Sequence, residues 1–341
     1  MTEIVLKSCH LKERLQQRIR AGGPITFCDW MEAALYEETD GYYRRKDLKR
    51  WGRAGDYRTS PERSHLFAAT FARYFAQLYD VLGRPATWTI LEAGAGNGSF
   101  AYGVLKTLQR DFPEVFAATR YLIDEPGDYL DGPARELLEP FADRVNFHAL
   151  GETKIDSGVV FSNELLDALP VHRVIQQDSE LREFFVDVGP TGEFVWKIQP
   201  PSTARLTAYF DRARVQLTEG QIAEVNLAAE DWLRLAAGSI IDGYLVTVDY
   251  GYEADELYSA ELRPEGTLRG FKHHRIIDDL LANPGEQDLT SSVNWTSVKL
   301  TGNDVGLQTI AFERQDKFLL GSGLLTNCNW KLSWPQMKLS G

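Results

Sequence analysis

The stretch ILEAGAGNGSF, residues 90–100, decides the fold because it joins an apolar run to a helical pattern. The run Thr87–Glu92 predicts a strand, and apolar residues at helical spacing follow the stretch. Between them, glycines stand at alternate positions: Gly94, Gly96 and Gly98. A plain turn needs one or two glycines, so three favour a ligand against the backbone, while helix–sheet packing alone remains the alternative.

Further strand patterns alternate with helical ones along the chain: Tyr121–Glu125, Val145–Leu150, Gly158–Ser162 and Tyr244–Asp249. Strands separated by helices predict an α/β fold with a doubly wound, mostly parallel sheet. Residues 1–86 are mostly helical in pattern and predict an N-terminal cap. Residues 171–240 exceed an ordinary crossover and predict an inserted substrate-binding or lid region. The core then comprises residues 87–170 and 241–341.

Composition narrows the class of protein. The 341 residues include 43% hydrophobic and 25% charged residues, as soluble globular proteins do. The net charge of -12 disfavours nucleic acid as a partner. No apolar stretch is long enough for membrane insertion, and no signal core precedes the helices, so we expect a cytoplasmic protein. The three cysteines lie far apart, so neither a metal site nor a disulfide framework is expected.

The ligand of the glycine stretch can be a dinucleotide or another nucleotide-like cofactor. The dinucleotide fingerprint is disfavoured because Ser99 stands where it expects glycine or alanine, and because an acid precedes the glycines. That acid, Glu92, is a poor neighbour for a pyrophosphate and a good one for a cation with an amine. S-adenosyl-L-methionine is such a ligand, and Glu125 after the second strand would accept bonds from its ribose hydroxyls. Asp124 next to it leaves the exact acid open.

Other motifs occur in a specific order from about residue 10 to 295. They are PITFCDWM (24–31), GRAGDYRTSPE (52–62), SNELLDALPVH (162–172), VDYG (248–251), GTLR (266–269) and DLT (288–290). Together with the glycine stretch they resemble the MidA family of methyltransferases, whose mitochondrial members act as assembly factors for respiratory complex I. The resemblance implies a Rossmann-like class I methyltransferase that uses S-adenosyl-L-methionine. In the mitochondrial relatives the acceptor is an arginine side chain of a partner protein.

The resemblance also implies roles for residues before the first long helix. Gly55, Thr59, Ser60 and Pro61 would contact the cofactor, and Asp56 would meet its α-ammonium or the substrate. Ser60 and Pro61 are equally explained as the start of a helix. His274 would be a general base or a substrate contact, although a lone histidine is more often structural.

Asn163, Glu164 and Asp167 follow the fourth strand, where open α/β sheets bind ligands. An arginine acceptor needs carboxylates that orient the guanidinium and take its proton. One interpretation is therefore catalysis by Glu164 and Asp167 beside Asn163 at the cofactor. The other is helix capping by Ser162 or Asn163, with acids in the first turn. Asp249 ends the fifth strand toward the same crevice.

The preferred function is therefore methylation of a protein arginine with S-adenosyl-L-methionine. One rival is a methyltransferase for a small molecule, and another is a binding or assembly protein that holds the cofactor without transfer. A nicotinamide-dependent oxidoreductase is disfavoured by the glycine spacing. Oligomeric state does not follow from the sequence.

Overall fold

The computed structural model describes residues 9–45, 48, 65–125, 133–272 and 275–324. The strands are β1 (Ile25–Thr26), β2 (Trp88–Ala93), β3 (Thr119–Asp124), β4 (Val145–Phe147), β5 (Ile155–Asn163), β6 (His172–Gln177), β7 (Glu180–Val188), β8 (Phe194–Gln199), β9 (Ile222–Val225), β10 (Ile240–Val248), β11 (Gly251–Tyr252), β12 (Arg269–Lys272), β13 (Arg275–Ile277), β14 (Asp288–Thr290) and β15 (Val293–Asn294). The helices are α1 (Cys9–Gly22), α2 (Phe27–Tyr36), α3 (His65–Val81), α4 (Ser99–Asp111), α5 (Pro113–Ala118), α6 (Pro133–Leu138), α7 (Arg205–Ala213), α8 (Leu227–Ser239), α9 (Ala254–Leu257), α10 (Trp295–Asp304) and α11 (Gln315–Gly321).

The central sheet has the strand order β10-β5-β2-β3-β4, and all its neighbours pair in parallel. The chain therefore starts in the middle of the sheet, builds outward to β4, and returns to build the other half. This arrangement confirms the predicted α/β fold. The third strand is shorter than predicted, because pairing ends at Phe147 rather than Leu150.

Alternation along these strands gives the sheet two apolar faces. Ile90, Tyr121 and Val159 contribute to one core, which α3 and α4 cover. Leu91 and the residues beside it in the neighbouring strands contribute to a second core, which includes Ala236 of α8. Helices on both faces make the sheet doubly wound. The helix α3 belongs to the N-terminal region that the sequence predicts to be mostly helical.

Aromatic rings fix α3 and α4 against the sheet. Phe71 and Phe75 of α3 pack on Phe161 of β5. Phe100, in the first turn of α4, stacks on Phe161 with ring centroids 4.3 Å apart. This packing holds the start of α4, and with it the turn after β2, against the sheet.

A second, antiparallel sheet consists of β1, β6, β7, β8 and β9, and all of these strands except β1 lie in the chain between β5 and β10. The turn around Gly189–Gly192 joins β7 to β8. Strand β1 comes from the N-terminal region and pairs with β7. One core joins Leu11 and Trp30 to Val186 of β7 and to Leu289 of β14. The division of the chain at residues 86, 170 and 240 stays a prediction.

Candidate functional site

The glycine turn, Gly94–Gly98, follows β2 and leads into α4. Gly94, Gly96 and Gly98 all have positive φ, at 71°, 54° and 75°. Side chains rarely adopt this left-handed region, so glycine suits all three positions. The Asn97 side chain accepts a hydrogen bond of 3.0 Å from the amide of Ser99, the first residue of α4, and so closes the turn before the helix.

Packing also restricts two of these glycines. A Cβ at Gly94 would lie 3.0 Å from Cδ1 of Leu165, and one at Gly98 would lie 3.2 Å from Cδ1 of Leu138. Conformation and packing against protein side chains therefore explain these two glycines. The spacing of the glycines indicates the turn itself, and its ligand has to be inferred from other observations.

Glu92 is the penultimate residue of β2, just before the glycine turn. Its side chain is buried, and Oε2 accepts a hydrogen bond of 2.7 Å from the hydroxyl of Tyr121. Burial raises the pKa of the Glu92 carboxyl to about 8, and the nearby charge of Glu125 adds to the rise. The predicted contact of Glu92 with the cofactor stays a prediction.

Glu125 lies over the glycine turn. Its Oε2 accepts a hydrogen bond of 2.9 Å from the amide of Gly96. Asp124, the other acid considered at this position, accepts instead from the amide of Leu150, and burial raises its pKa. The structure therefore brings Glu125, not Asp124, to the turn.

The acidic turn, Asn163–Asp167, follows β5, which neighbours β2 in the sheet. Leu165 of this turn is the residue that packs against Gly94. The amide of Glu164 donates to the carbonyl of Val248 at 2.9 Å, and Glu164 has a φ of +50°. That conformation interrupts any helix at Glu164, so a helix that begins at Ser162 or Asn163 and carries both acids in its first turn does not form.

Helix capping by Ser162 or Asn163 does not occur either. The Ser162 hydroxyl donates to the Thr247 hydroxyl at 2.8 Å. Within the described residues, Oδ1 of Asn163 is buried and has no hydrogen-bond partner. A buried amide oxygen without a partner is unfavourable, so Asn163 fits a ligand that carries a donor.

The carboxylate of Asp249, just after β10, holds the acidic turn. Its Oδ2 accepts from the amides of Leu165, Leu166 and Asp167 at 3.2, 2.9 and 3.3 Å. Burial raises the pKa of Asp249, and the charge of Glu164 adds to the rise. Asp249 thus caps the short 3-10 helix Leu166–Ala168.

Asp167 is buried at the centre of the site. Its Oδ2 accepts a hydrogen bond from the hydroxyl of Tyr250. Its Oδ1 is buried without a hydrogen-bond partner among the described residues. Burial raises the pKa of Asp167 well above its usual range, and the charges of Asp249 and Asp288 add to the rise. A site of this kind favours a cation, because a positive charge offsets the cost of burying an ionised carboxylate and reduces the repulsion between neighbouring carboxylates.

Two tyrosines and a further acid complete the cluster. Tyr43 donates to Oδ1 of Asp288 at 2.7 Å, and Tyr36 donates to the carbonyl of Ala168 at 3.0 Å. Burial raises the pKa of Tyr36, and the charges of Asp288, Asp167 and Glu125 raise it further. Tyr36 therefore lies between the acid beside the glycine turn and the acids of the acidic turn.

Sequence reasoning missed Tyr36, Tyr43 and Asp288 as members of the site. The motif at 288–290 contributed only to the family resemblance, and the structure shows that it is a buried strand. Tyr43 and Asp288 are 245 positions apart in the chain, so no local pattern links them. Gly55, Asp56, Thr59, Ser60, Pro61 and His274 lie outside the described residues. Their predicted roles stay predictions.

A Rossmann-type sheet with a glycine turn and an acidic turn at the carboxyl ends of adjacent strands defines the class of nucleotide-cofactor enzymes to which methyltransferases belong. The family described as "Putative S-adenosyl-L-methionine-dependent methyltransferase" matches residues 70–313. The chain belongs to this family, as the resemblance to the MidA family indicated. It is an S-adenosyl-L-methionine-dependent methyltransferase.

Curated relatives agree with this assignment. The chain is 26% identical to protein arginine methyltransferase NDUFAF7 homolog, mitochondrial, of Drosophila melanogaster, over 85% of this chain and 69% of the relative. It is 23% identical to the Homo sapiens protein arginine methyltransferase NDUFAF7, mitochondrial, over 84% of this chain and 67% of the relative.

A solved structure supports the cofactor. A Burkholderia thailandensis protein, crystallised with S-adenosyl-homocysteine bound, is 31% identical and superposes with a TM-score of 0.86. The match covers 96% of this chain and 84% of that one. S-adenosyl-homocysteine is the product that S-adenosyl-L-methionine leaves after methyl transfer. The predicted cofactor is therefore confirmed, and the nicotinamide alternative is wrong.

Proposed function

We propose that this enzyme methylates an arginine side chain of a partner protein. One observation carries the proposal: buried carboxylates converge beside the cofactor turn, and Asp167 presents an oxygen without a partner in the described part of the chain. An acceptor that enters such a site has to be cationic. The curated relatives named protein arginine methyltransferase support the choice of guanidinium.

The residues of the site fit S-adenosyl-L-methionine. Glu125 offers a carboxylate over the glycine turn, and Asn163 offers the unpartnered amide oxygen. Both are acceptors, which suits the hydroxyl and ammonium donors of this cofactor. When bound, the cofactor supplies a methyl group on a sulfonium. The protein has to place the acceptor nitrogen and remove its proton.

Guanidinium stays protonated in water, so its nitrogen is a poor nucleophile until a base takes a proton. Asp167 and Glu164 provide carboxylates at the acidic turn for that purpose. Asp167 is positioned through Tyr250 and through the bond from its own amide to Asp249. The raised pKa of Asp167 makes its carboxylate a stronger base than an ordinary aspartate.

The transfer balances as follows. The acceptor nitrogen forms a bond to the methyl carbon while the carbon–sulfur bond breaks, and the electron pair of that bond stays on sulfur. One N–H proton passes to the carboxylate and then to solvent. The products are a methylated guanidinium, S-adenosyl-homocysteine and a proton.

The proposal is tested with S-adenosyl-L-methionine labelled in the methyl group and protein extract from the cells of origin. We expect labelled protein, and methylarginine as the labelled residue after hydrolysis. Glu164→Gln should abolish the label. Asp231→Asn should retain it, because Asp231 is an exposed partner of Arg205 outside the site. Label in another amino acid or in small molecules would overturn the arginine acceptor, and no transfer at all would favour a binding protein.

The cellular setting stays a prediction. Composition favours the cytoplasm, whereas the curated relatives carry the word mitochondrial in their names. Among the helices of the described residues, none combines the length and apolar content that crossing a membrane requires. Exclusion of nucleic acid as a partner rests on the net charge of -12 alone.

A further inference from the structure

A surface cleft of about 420 Å³ lies beside the acidic turn. The residues that line it include Tyr250, Leu262, Arg263, Glu265, Arg269 and Ser292. This volume falls in the range of ligand-binding clefts, roughly 300–1,000 Å³. The cleft is large enough for an extended side chain and part of a backbone.

Tyr250 connects the cleft with Asp167. Its side chain lines the cleft and is 47% exposed, yet its hydroxyl donates to the buried Oδ2 of Asp167. Thr290, which also lines the cleft, forms a hydrogen bond with the Tyr250 hydroxyl. The amide of the cleft residue Ser291 donates to the carbonyl of Asp167 at 2.9 Å. The cleft therefore reaches Asp167 through one layer of residues.

The lining of the cleft does not include the residues that we assign to the cofactor. None of the residues that line the cleft comes from the glycine turn, and neither Glu125 nor Asn163 is among them. Methyl transfer is an in-line displacement, so the acceptor has to approach from the side opposite the leaving sulfur. We propose that this cleft receives the acceptor polypeptide, whose target arginine reaches Asp167 past Tyr250. The inference rests on the proposed function, because it takes the acceptor to be a protein arginine.

The charges in the cleft specify what surrounds the target arginine. Arg263 is engaged within the protein: it donates to the carbonyl of Glu256 at 2.6 Å, and its guanidinium lies 3.7 Å from the ring centroid of Tyr252. Arg269 is exposed, and it donates to the carbonyl of Leu268 at 2.8 Å. The cleft also has the exposed carboxylate of Glu265 in its lining, so its charge is mixed, and the guanidinium of Arg269 is the group that we assign to a carboxylate of the acceptor. The acceptor should therefore carry an acidic residue close to its target arginine.

Kinetics test the role of Arg269. The acceptor is the protein fraction that the wild-type enzyme labels, and Arg269→Ala should raise the KM for it about tenfold. The dissociation constant of S-adenosyl-homocysteine should stay unchanged. Arg84→Ala is the matched control. Arg84 is also exposed, but it precedes β2 and so lies at the amino ends of the parallel strands, whereas the site lies at their carboxyl ends. An unchanged KM in Arg269→Ala, or an equal loss of S-adenosyl-homocysteine affinity, would overturn the proposal.

Crosslinking tests the position directly. A photoreactive phenylalanine replaces Leu262, which lines the cleft and is 62% exposed, or replaces Val81, which is 71% exposed at the end of α3. After a single turnover, we expect the first variant to capture protein that carries the methyl label and the second to capture none. Equal capture by both would contradict the cleft. If wild-type enzyme labels no arginine, the proposed function fails; if it does and Leu262 captures nothing, only the cleft fails.

Discussion

The glycine turn after β2 and the acidic turn after β5 lie at the carboxyl ends of neighbouring parallel strands, and both contain left-handed backbone. The glycine turn has glycine at each such position, where no side chain opposes the conformation. The acidic turn instead places Glu164 there, with a φ of +50°. A side chain in this region costs about 1–2 kcal/mol, so the carboxylate is kept despite the strain.

What holds the two turns also differs. Gly94 and Gly98 pack against Leu165 and Leu138, so the glycine turn is fixed by shape. The acidic turn is fixed by the hydrogen bonds that three backbone amides donate to the carboxylate of Asp249. We infer that the first turn is built to lie close to a cofactor and the second to hold charge toward an acceptor. The variants below separate these roles.

The largest expected effect is on transfer in Asp167→Asn. The substitution keeps the size of the side chain and removes the base, so the rate of methyl transfer should fall by about a hundredfold or more. Single-turnover transfer from labelled cofactor measures it. Asp231→Asn, at an exposed acid, is the control and should transfer at the wild-type rate. A rate within about twofold of wild type would show that Asp167 is not the base.

Glu92, just before the glycine turn, should make the stability of the protein depend on pH. Folding raises its pKa from the ordinary 4.5 to about 8, so between these values the folded protein retains a proton that the unfolded chain has lost. The free energy of unfolding should therefore fall as pH rises through that window. Glu92→Gln should remove about 4 kcal/mol of this fall between about pH 5 and pH 9. Denaturant titrations across that range measure it, and parallel pH profiles for both proteins would contradict it.

Asp249→Ala should loosen the acidic turn. Three buried amides lose their acceptor, which should lower the free energy of unfolding by about 3 kcal/mol. Asp249→Asn retains a carbonyl oxygen as acceptor and should lose less. Urea denaturation compares them with Asp231→Ala, whose exposed ion pair should contribute less than about 1 kcal/mol. Equal stability of Asp249→Ala and Asp231→Ala would show that the hydrogen bonds from the backbone amides to Asp249 do not hold the turn.

Gly94→Ala should strain the glycine turn by about 2 kcal/mol, because φ is +71° and the new methyl group would press on Leu165. Gly238→Ala is the control: Gly238 lies within α8, has no atoms within 4 Å of a Cβ, and should gain about 0.5–1 kcal/mol. Thermal unfolding of the two variants tests this difference. If Gly94→Ala is as stable as the wild-type protein, the positive φ does not explain why this position is glycine.

The smallest change in stability is expected for Glu164→Gly. Removal of the side chain relieves left-handed strain and repulsion from Asp249, so the free energy of unfolding should rise by about 1 kcal/mol, while transfer should be lost as in Glu164→Gln. Arg214→Gly, at another left-handed position, should gain a similar amount with transfer unchanged. If Glu164→Gly loses stability instead, its side chain has a structural role at the turn.

The sequence predicted the central sheet well because local patterns carry that information. Consecutive residues show both features: Ile90 and Leu91 alternate between the two cores, and the glycines of Gly94–Gly98 follow directly. The site itself depends on distant pairs. Tyr43 and Asp288 meet across 245 positions, and the three amides that bind Asp249 are recognisable only after β5 and β10 are placed side by side.

Glu164 shows the same limit in another way. Spacing in the chain suggested a helix, whereas a single residue at positive φ redirects the backbone after β5. Sequence patterns do not show this, because non-glycine residues rarely take that conformation. Hydrogen bonds to Val248 and Asp249, which are distant in the chain, determine the path of the backbone instead.

Calorimetric titration of S-adenosyl-homocysteine into Gly94→Ala and Asp167→Asn tests the division between the two turns most directly. We expect Gly94→Ala to bind it about tenfold more weakly than wild type and Asp167→Asn to bind it within about twofold of wild type. The opposite pattern, with affinity lost in Asp167→Asn and retained in Gly94→Ala, would contradict the assignment of cofactor to the glycine turn and acceptor to the acidic turn.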